Sequence, residues 1–365
     1  MTATQNEQMT GPTAVRMRGT SPSRVALALG SGGARGYAHI GVIQTLRERG
    51  YDIVGIAGSS MGALVGGLHA AGRLEEFTDW AKSLTQRTIL RLLDPSITAA
   101  GVLRAEKILD AVRDILGPVT IEQLPIPYTA VATDLLAGKS VWFQRGPLDE
   151  AIRASIAIPG VIAPHELDGR LLADGGILDP LPIAPIAAVN ADLTIAVSLN
   201  GSEAGLPRGS EPGVTAEWLN RVVRSTSAIF DATAARALLD RPTARAVLSR
   251  LGAGSQESDS WSDDAELDER AADDGTDDQG APEVPRMGSF EVMNRTIDIA
   301  QSALARHTLA TYPADLLIEV PRATCRSLEF HRAVEVIATG RALAARALDA
   351  LEADDEQPAP PAIES

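Results

Sequence analysis

The sequence predicts an α/β fold, a mostly parallel central sheet covered by helices on both faces. Three observations carry this expectation. Short apolar runs alternate along the chain with segments of helical period, the order a wound parallel sheet requires. The runs are apolar throughout, with no polar residue at every second place, as strands buried on both faces should be. Two junctions between a run and a helix are rich in glycine, Gly30-Ser31-Gly32-Gly33-Ala34-Arg35-Gly36 and Gly58-Ser59-Ser60-Met61-Gly62.

Residues 24–29 (RVALAL) read as the first buried strand. Residues 36–49 follow as a helix, with His39, Val42, Ile43 and Leu46 at i, i+3, i+4 and i+7 and a stop at Gly50. Residues 52–57 are the second strand and 63–70 the second helix. The stretch 73–117 is more polar and helical, with Trp80, Ile89, Leu90, Leu92 and Leu93 near Pro95. It reads equally as an apolar lid or as ordinary surface helices. Residues 128–132 and 140–143 are strand-like, and 148–156 is a helix running into Pro159-Gly160. Residues 171–173 lead into Asp174-Gly175-Gly176, and 193–197 is another buried strand. Long helical periods at 215–251 and 289–311 flank an acidic segment. A strand at 316–320 and a helix at 330–351 close the chain. The strings Ala191-Asp192-Leu193-x-Ile195-x-Val197 and Ala314-Asp315-Leu316-x-Ile318-x-Val320 share one pattern, and both follow helices.

Composition bounds the function. With 45% hydrophobic and only 4% aromatic residues in 365, the core must be built from Ala, Leu, Val and Ile. The single cysteine, Cys325, excludes an intramolecular disulfide and suggests a reducing compartment. No apolar run approaches the roughly 18–20 residues of a membrane span. The first 23 residues lack a continuous apolar segment, so no signal peptide is expected. The expected location is cytoplasmic, with a possible contact at the inner membrane face. The net charge of −15 is concentrated in two places. Residues 255–285 hold twelve acids against one base, Arg270, and residues 352–365 hold five acids and no base. What remains is close to neutral, which argues against nucleic-acid binding.

The expected organisation is a disordered start (1–23), a catalytic core (24–200), a helical extension (201–254) and an acidic disordered insert (255–285). A helix–strand–helix segment (286–351) completes the same domain, and an acidic disordered tail (352–365) ends the chain.

The junction around Ser60 carries the chemistry. Strand, G-x-S-x-G, helix is the nucleophile elbow, which stands a serine on a tight turn at a helix N-terminus. The loop 30–36 aims backbone N–H groups at the start of a helix, a site for negative charge. A dinucleotide site would need a third glycine where Arg35 stands and an acid at the end of the next strand, where Asp52 begins it instead. An oxyanion hole fits better, because both loops would open on one sheet edge. A serine nucleophile needs a base. His39 lies on an apolar helix face, and His69 sits roughly 13 Å along the elbow helix. His165 lies in a loop near prolines, and His307 and His331 are on late helices. None stands in a triad-like setting, so a carboxylate contacting the serine directly is the alternative. Asp134, Asp168, Asp174 and Asp179 compete for that role, and each also reads as a turn or cap residue.

The ordered set GSGGARG, GSSMG and DGG resembles the patatin-like phospholipase family. Ala34-Arg35-Gly36-Tyr37-Ala38-His39-Ile40-Gly41-Val42, Ser289-Phe290-Glu291-Val292 and Leu328-Glu329-Phe330-His331-Arg332-Ala333 are most similar to bacterial members related to the catalytic domain of neuropathy target esterase. The likeness is specific over 24–200 and looser to about 350. It implies a three-layer α/β/α patatin-like fold and a Ser–Asp dyad of Ser60 and Asp174. It also implies an oxyanion hole at Gly32, Gly33, Ala34 and Arg35, with Arg35 in the family's basic position. Ser31 stands where the commonest family pattern has another glycine. The implied activity is hydrolysis of carboxylic esters in phospholipids, lysophospholipids or related acyl lipids, without metal or other cofactor. The expected partners are the acyl lipid substrate and, transiently, a membrane surface; oligomeric state is left open. A lipid-binding protein with little turnover is the alternative reading.

Overall fold

The run 24–29 becomes the central strand because nothing after Arg24 in it needs water. In the computed structural model, which describes residues 23–92, 106–201 and 289–356, β1 (Arg24–Leu29) is buried from Val25 onward. Its two faces differ in size. Val25, Leu27 and Leu29 join the large apolar cluster under the helices. Ala26 and Ala28 face the other way, against Ala57, Leu181, Ile183, Ile186, Ala196 and Ala305. Small side chains on that second face let the covering segments approach closely.

The remaining elements follow in chain order: α1 (Ala38–Glu48), β2 (Asp52–Ser59), α2 (Met61–Ala70), α3 (Leu74–Ser83), α4 (Gln86–Leu92) and α5 (Glu106–Leu116). Then come β3 (Tyr128–Asp134), β4 (Lys139–Phe143), α6 (Leu148–Ser155), β5 (His165–Leu167), β6 (Arg170–Asp174) and β7 (Leu193–Gly201). Helix α7 (Ser289–Thr311), β8 (Leu316–Pro321) and α8 (Ala333–Glu356) complete them. The eight strands form one sheet in the order β5-β6-β3-β2-β1-β7-β8, with β4 added to β3. The pairs β3–β2, β2–β1, β1–β7 and β7–β8 are parallel, and β3–β4, β3–β6 and β5–β6 are antiparallel. The fold is the expected α/β class with a mostly parallel sheet.

The shared pattern around Asp192 and Asp315 has a structural meaning. Each aspartate begins a strand and reaches the neighbouring one, Asp192 Oδ2 accepting from the Arg24 N–H at 2.9 Å and Asp315 Oδ2 from the Thr194 N–H at 2.7 Å. Both thereby fix the register at the N-terminal edge of a parallel pair.

Two local expectations are revised. The first turn of the helix expected from Gly36 is a 3-10 turn, Gly33–Tyr37, and the α-helix begins at Ala38. Residues 165–167, expected as loop, form a short strand, because Asp168 and Gly169 adopt positive φ of 50° and 71° and fold a tight hairpin. Helices α3 and α5 bury Leu74, Phe77, Ala81, Leu109, Val112 and Leu116 in the main cluster, and residues 93–105, the middle of the stretch read as lid or surface helices, lie outside the described residues.

By contacts the chain divides into two units, 1–208 with 297–365, and 209–296. Only the opening turns of α7 are described in the second. The expected disordered start, apart from its last residue, the extension 201–254 beyond its first residue, and the acidic insert 255–285 lie outside the described residues. Helix α8 continues to Glu356, into the stretch expected as tail.

Candidate active site

Three strands bring the site together. Residues 130–134 of β3 pair with β4 along one edge, so β2 and β6 share the other. Strand β2 takes residues 128–131 and ends with Ser59 opposite Val131. Strand β6 comes from the opposite direction and ends with Asp174 opposite Ala132. Two strands thus run toward each other along β3 and stop on adjacent rungs. The residues at and just beyond their ends are Ser60 and Asp174.

Ser60 turns the chain from β2 into α2 with φ 55° and ψ −123°, a left-handed conformation costly for a residue with a Cβ. The glycines around it are there for space. A Cβ on Gly62 would lie 2.1 Å from the Leu29 carbonyl oxygen, and one on Gly58 would lie 2.3 Å from the Gly62 oxygen. Ser60 Oγ donates to Asp174 Oδ2 at 2.5 Å, and both residues are buried. The other carboxyl oxygen, Oδ1, accepts the Gly176 N–H at 2.8 Å. Burial raises the Asp174 pKa to about 6, opposed by hydrogen bonds from the Ser60 hydroxyl, the Gly176 N–H and the Ser31 hydroxyl.

The glycine loop meets both. Ser31 N–H donates to the Pro180 oxygen at 2.8 Å, and a Cβ on Gly176 would fall 2.2 Å from Ser31 Oγ. The 3-10 turn starts at Gly33, whose φ of 58° suits glycine. The four residues named for an oxyanion hole are not equivalent. Ala34 N–H already donates to the Ser327 oxygen at 2.8 Å, which removes Ala34 from the set. Arg35 lies inside the 3-10 turn, and its guanidinium is buried and bonds Asp298 on α7 at 3.2 Å. The N–H groups of Gly32 and Gly33 have no hydrogen-bond partner among the described residues.

The histidines are elsewhere. His39 is fully buried and donates from Nε2 to the Gly30 oxygen at 2.8 Å, with its pKa lowered by burial to about 4. It is neutral and supports the first residue of the glycine loop. Burial also lowers His69 to about 4. His165 pairs with Glu150 at 2.6 Å, and His331 contacts Gln86 at 3.3 Å. No histidine bonds Ser60 or Asp174 among the described residues. The competing acids also fall into place. Asp134 caps a turn by accepting from the Leu136 and Ala137 N–H groups, Asp168 makes the β5–β6 hairpin, and the Asp179 N–H donates to the Gly175 oxygen.

Ser155, at the end of α6, escaped the sequence reading. It is wholly buried, accepts the Ser60 N–H at 2.9 Å and donates to the Val131 oxygen at 2.6 Å. No local motif marks it. The only available signal is a serine closing an apolar helix face before Pro159. Among the described residues no group of three or more His, Cys, Asp or Glu is placed to hold a metal ion, and no helix is long and apolar enough to cross a membrane.

Fold and site together define an α/β protein in which an elbow serine faces a buried aspartate where other elbow proteins present a histidine. The chain belongs to the NTE family. The family model for patatin-like phospholipase matches residues 27–187. NTE family proteins of Mycobacterium tuberculosis and Mycobacterium bovis are 80% identical over 359 residues, covering 98% of this chain and all of theirs. Neuropathy target esterase of Drosophila melanogaster is 32% identical over 186 residues, 49% of this chain and 13% of that protein. Among solved structures, VipD from Legionella pneumophila is similar with 15% identity and a TM-score of 0.39, over 90% of this chain and 67% of that one.

Proposed function

We propose that this protein is a serine lipid acyl hydrolase that cleaves carboxylic esters of phospholipids, lysophospholipids or related acyl lipids through a Ser60–Asp174 dyad. The observation that carries the reading is the 2.5 Å contact from Ser60 Oγ to Asp174 Oδ2 at the meeting of two strand ends. The patatin-like phospholipase match over residues 27–187 and the similarity to neuropathy target esterase support the ester chemistry.

With a pKa of about 6, Asp174 is ionised at neutral pH and still basic enough to take a proton. Ser60 Oγ attacks the ester carbonyl carbon as its proton passes to Asp174. The carbonyl oxygen becomes an oxyanion, received by the N–H groups of Gly32 and Gly33 beside the positive end of α2. Collapse breaks the bond to the alcohol, which leaves with the proton held by Asp174. Water then attacks the acyl-serine, with Asp174 again accepting the proton, and the fatty acid departs as Ser60 recovers its hydrogen. Arg35, tied to Asp298, holds the loop in place and contributes no proton.

The test is turnover of a short p-nitrophenyl ester by Ser60→Ala and Asp174→Asn. Both should lose activity to near background while keeping a cooperative melt. Normal turnover in either sinks the dyad.

A further inference from the structure

We propose that the segment Ser155-Ile156-Ala157, where α6 ends, is a clasp that sets the separation of Ser60 and Asp174, with Ser155 as a positioning residue for the reaction. The proposal rests on the dyad reading above and adds a third part to it.

The need for such a part follows from the topology. Between the last rung of β2, Ser59 opposite Val131, and the last rung of β6, Asp174 opposite Ala132, the edge of β3 presents the Val131 carbonyl beyond the end of either ladder. The left-handed turn at Ser60 likewise carries its own N–H off the ladder. Both groups are buried, and each would cost on the order of 1–3 kcal/mol if left unpaired. The Ser155 hydroxyl lies between them. It accepts from Ser60 at 2.9 Å and donates to Val131 at 2.6 Å, using its donor and an acceptor pair together. Two residues later the same segment reaches the other member of the dyad, where the Ala157 carbonyl accepts the Asp174 N–H at 3.0 Å. A single turn of chain therefore bonds the backbone of both residues, one through a side chain and one through a carbonyl. Gly175 closes the arrangement, since a Cβ there would lie 2.1 Å from the Val131 oxygen.

The clasp is itself fixed. Leu148, Ala151, Ile152 and Ala154 bury the inward face of α6, with Ile152 and Leu148 packed under Gly67 of α2. Arg153 ties the following loop by donating to the Ala163 oxygen at 3.1 Å. Ser155 is wholly buried and its hydroxyl is engaged at both Ser60 and Val131, so its effect is on geometry. A displacement near 1 Å at a reacting group costs about 100-fold in rate, which gives the scale expected when the clasp loosens.

The experiment compares Ser155→Ala, Ser155→Thr and Asp174→Asn in the full chain, reading kcat, KM, the pH dependence of kcat/KM and thermal melting. In Ser155→Ala, kcat should fall by about 10- to 100-fold with KM nearly unchanged. Its acid limb should move to higher pH, because a longer Ser60 contact no longer holds the Asp174 pKa down. Ser155→Thr, which keeps the hydroxyl, should recover most of kcat and the original limb. If Ser155→Ala does not fold, Ser155→Cys, of similar size but a weaker hydrogen-bonding partner, should show the same shift in smaller measure. Wild-type kcat and acid limb in Ser155→Ala, or losses in Ala and Thr that follow only the melting temperature, overturn the clasp. Full activity in Asp174→Asn overturns the dyad instead, so the two failures are distinct.

Discussion

Ser59 and Asp174 close two strands that approach each other along β3, opposite Val131 and Ala132. Residues far apart in sequence thereby become neighbours without any long loop between them. Because Ser60 follows Ser59 directly, its hydroxyl is delivered to the carboxylate by the sheet itself. The same convergence buries the carboxyl and raises its pKa to about 6. One geometric fact thus supplies both the proximity and the basicity that the proposed reaction needs.

The first consequence is a pH profile. Asp174 must be ionised to accept the Ser60 proton, so kcat/KM should be level near neutrality and fall below pH about 6, approaching tenfold per unit. Initial rates on a short acyl ester between pH 4 and 9 test this. His39 and His69, both lowered to about 4 by burial, cannot place a limb there.

The second concerns stability. Between its ordinary pKa of 3.8 and about 6, Asp174 keeps its proton in the folded chain and loses it in the unfolded one. Stability therefore falls as pH rises through that window, and stays lower above it. Asp174→Asn lacks this penalty and should be more stable than the parent at pH 8 by up to about 3 kcal/mol. The gain should vanish near pH 4, as read by denaturant unfolding at both values.

A third addresses the elbow. In Gly62→Ala the new methyl would sit 2.1 Å from the Leu29 oxygen, a backbone atom that cannot swing away. The variant should lose about 2 kcal/mol or more of stability, or fail to accumulate folded, as thermal melting would show.

The fourth concerns the glycine loop. His39→Leu keeps the bulk but removes the donor to the buried Gly30 oxygen, at an expected cost of about 1–3 kcal/mol. Since Gly30 opens the loop, ester turnover should fall beyond the loss of folded protein, measured well below the melting temperature.

Much of this site was legible in the residues. The elbow and the glycine loop are local patterns, and each fell between the strand and helix expected of it. Asp174 stood out from Asp134, Asp168 and Asp179 only through the resemblance, because all four sit in turns. What the sequence did not show depends on distant partners. Ala34 N–H is engaged by the Ser327 oxygen, a partner 293 residues away that the loop's own pattern does not reveal. Ser155 belongs to no motif and matters only because two strand ends leave a gap beside it. Strand β5, His165–Leu167, is too short to show a period of its own, although Asp168-Gly169 beside it reads as a turn.

The most direct measurement is labelling with a fluorophosphonate and locating the adduct by mass spectrometry. The proposed chemistry requires a single adduct on Ser60, formed slowly in Asp174→Asn and absent in Ser60→Ala. An adduct on another residue, or undiminished labelling in Ser60→Ala, would contradict it.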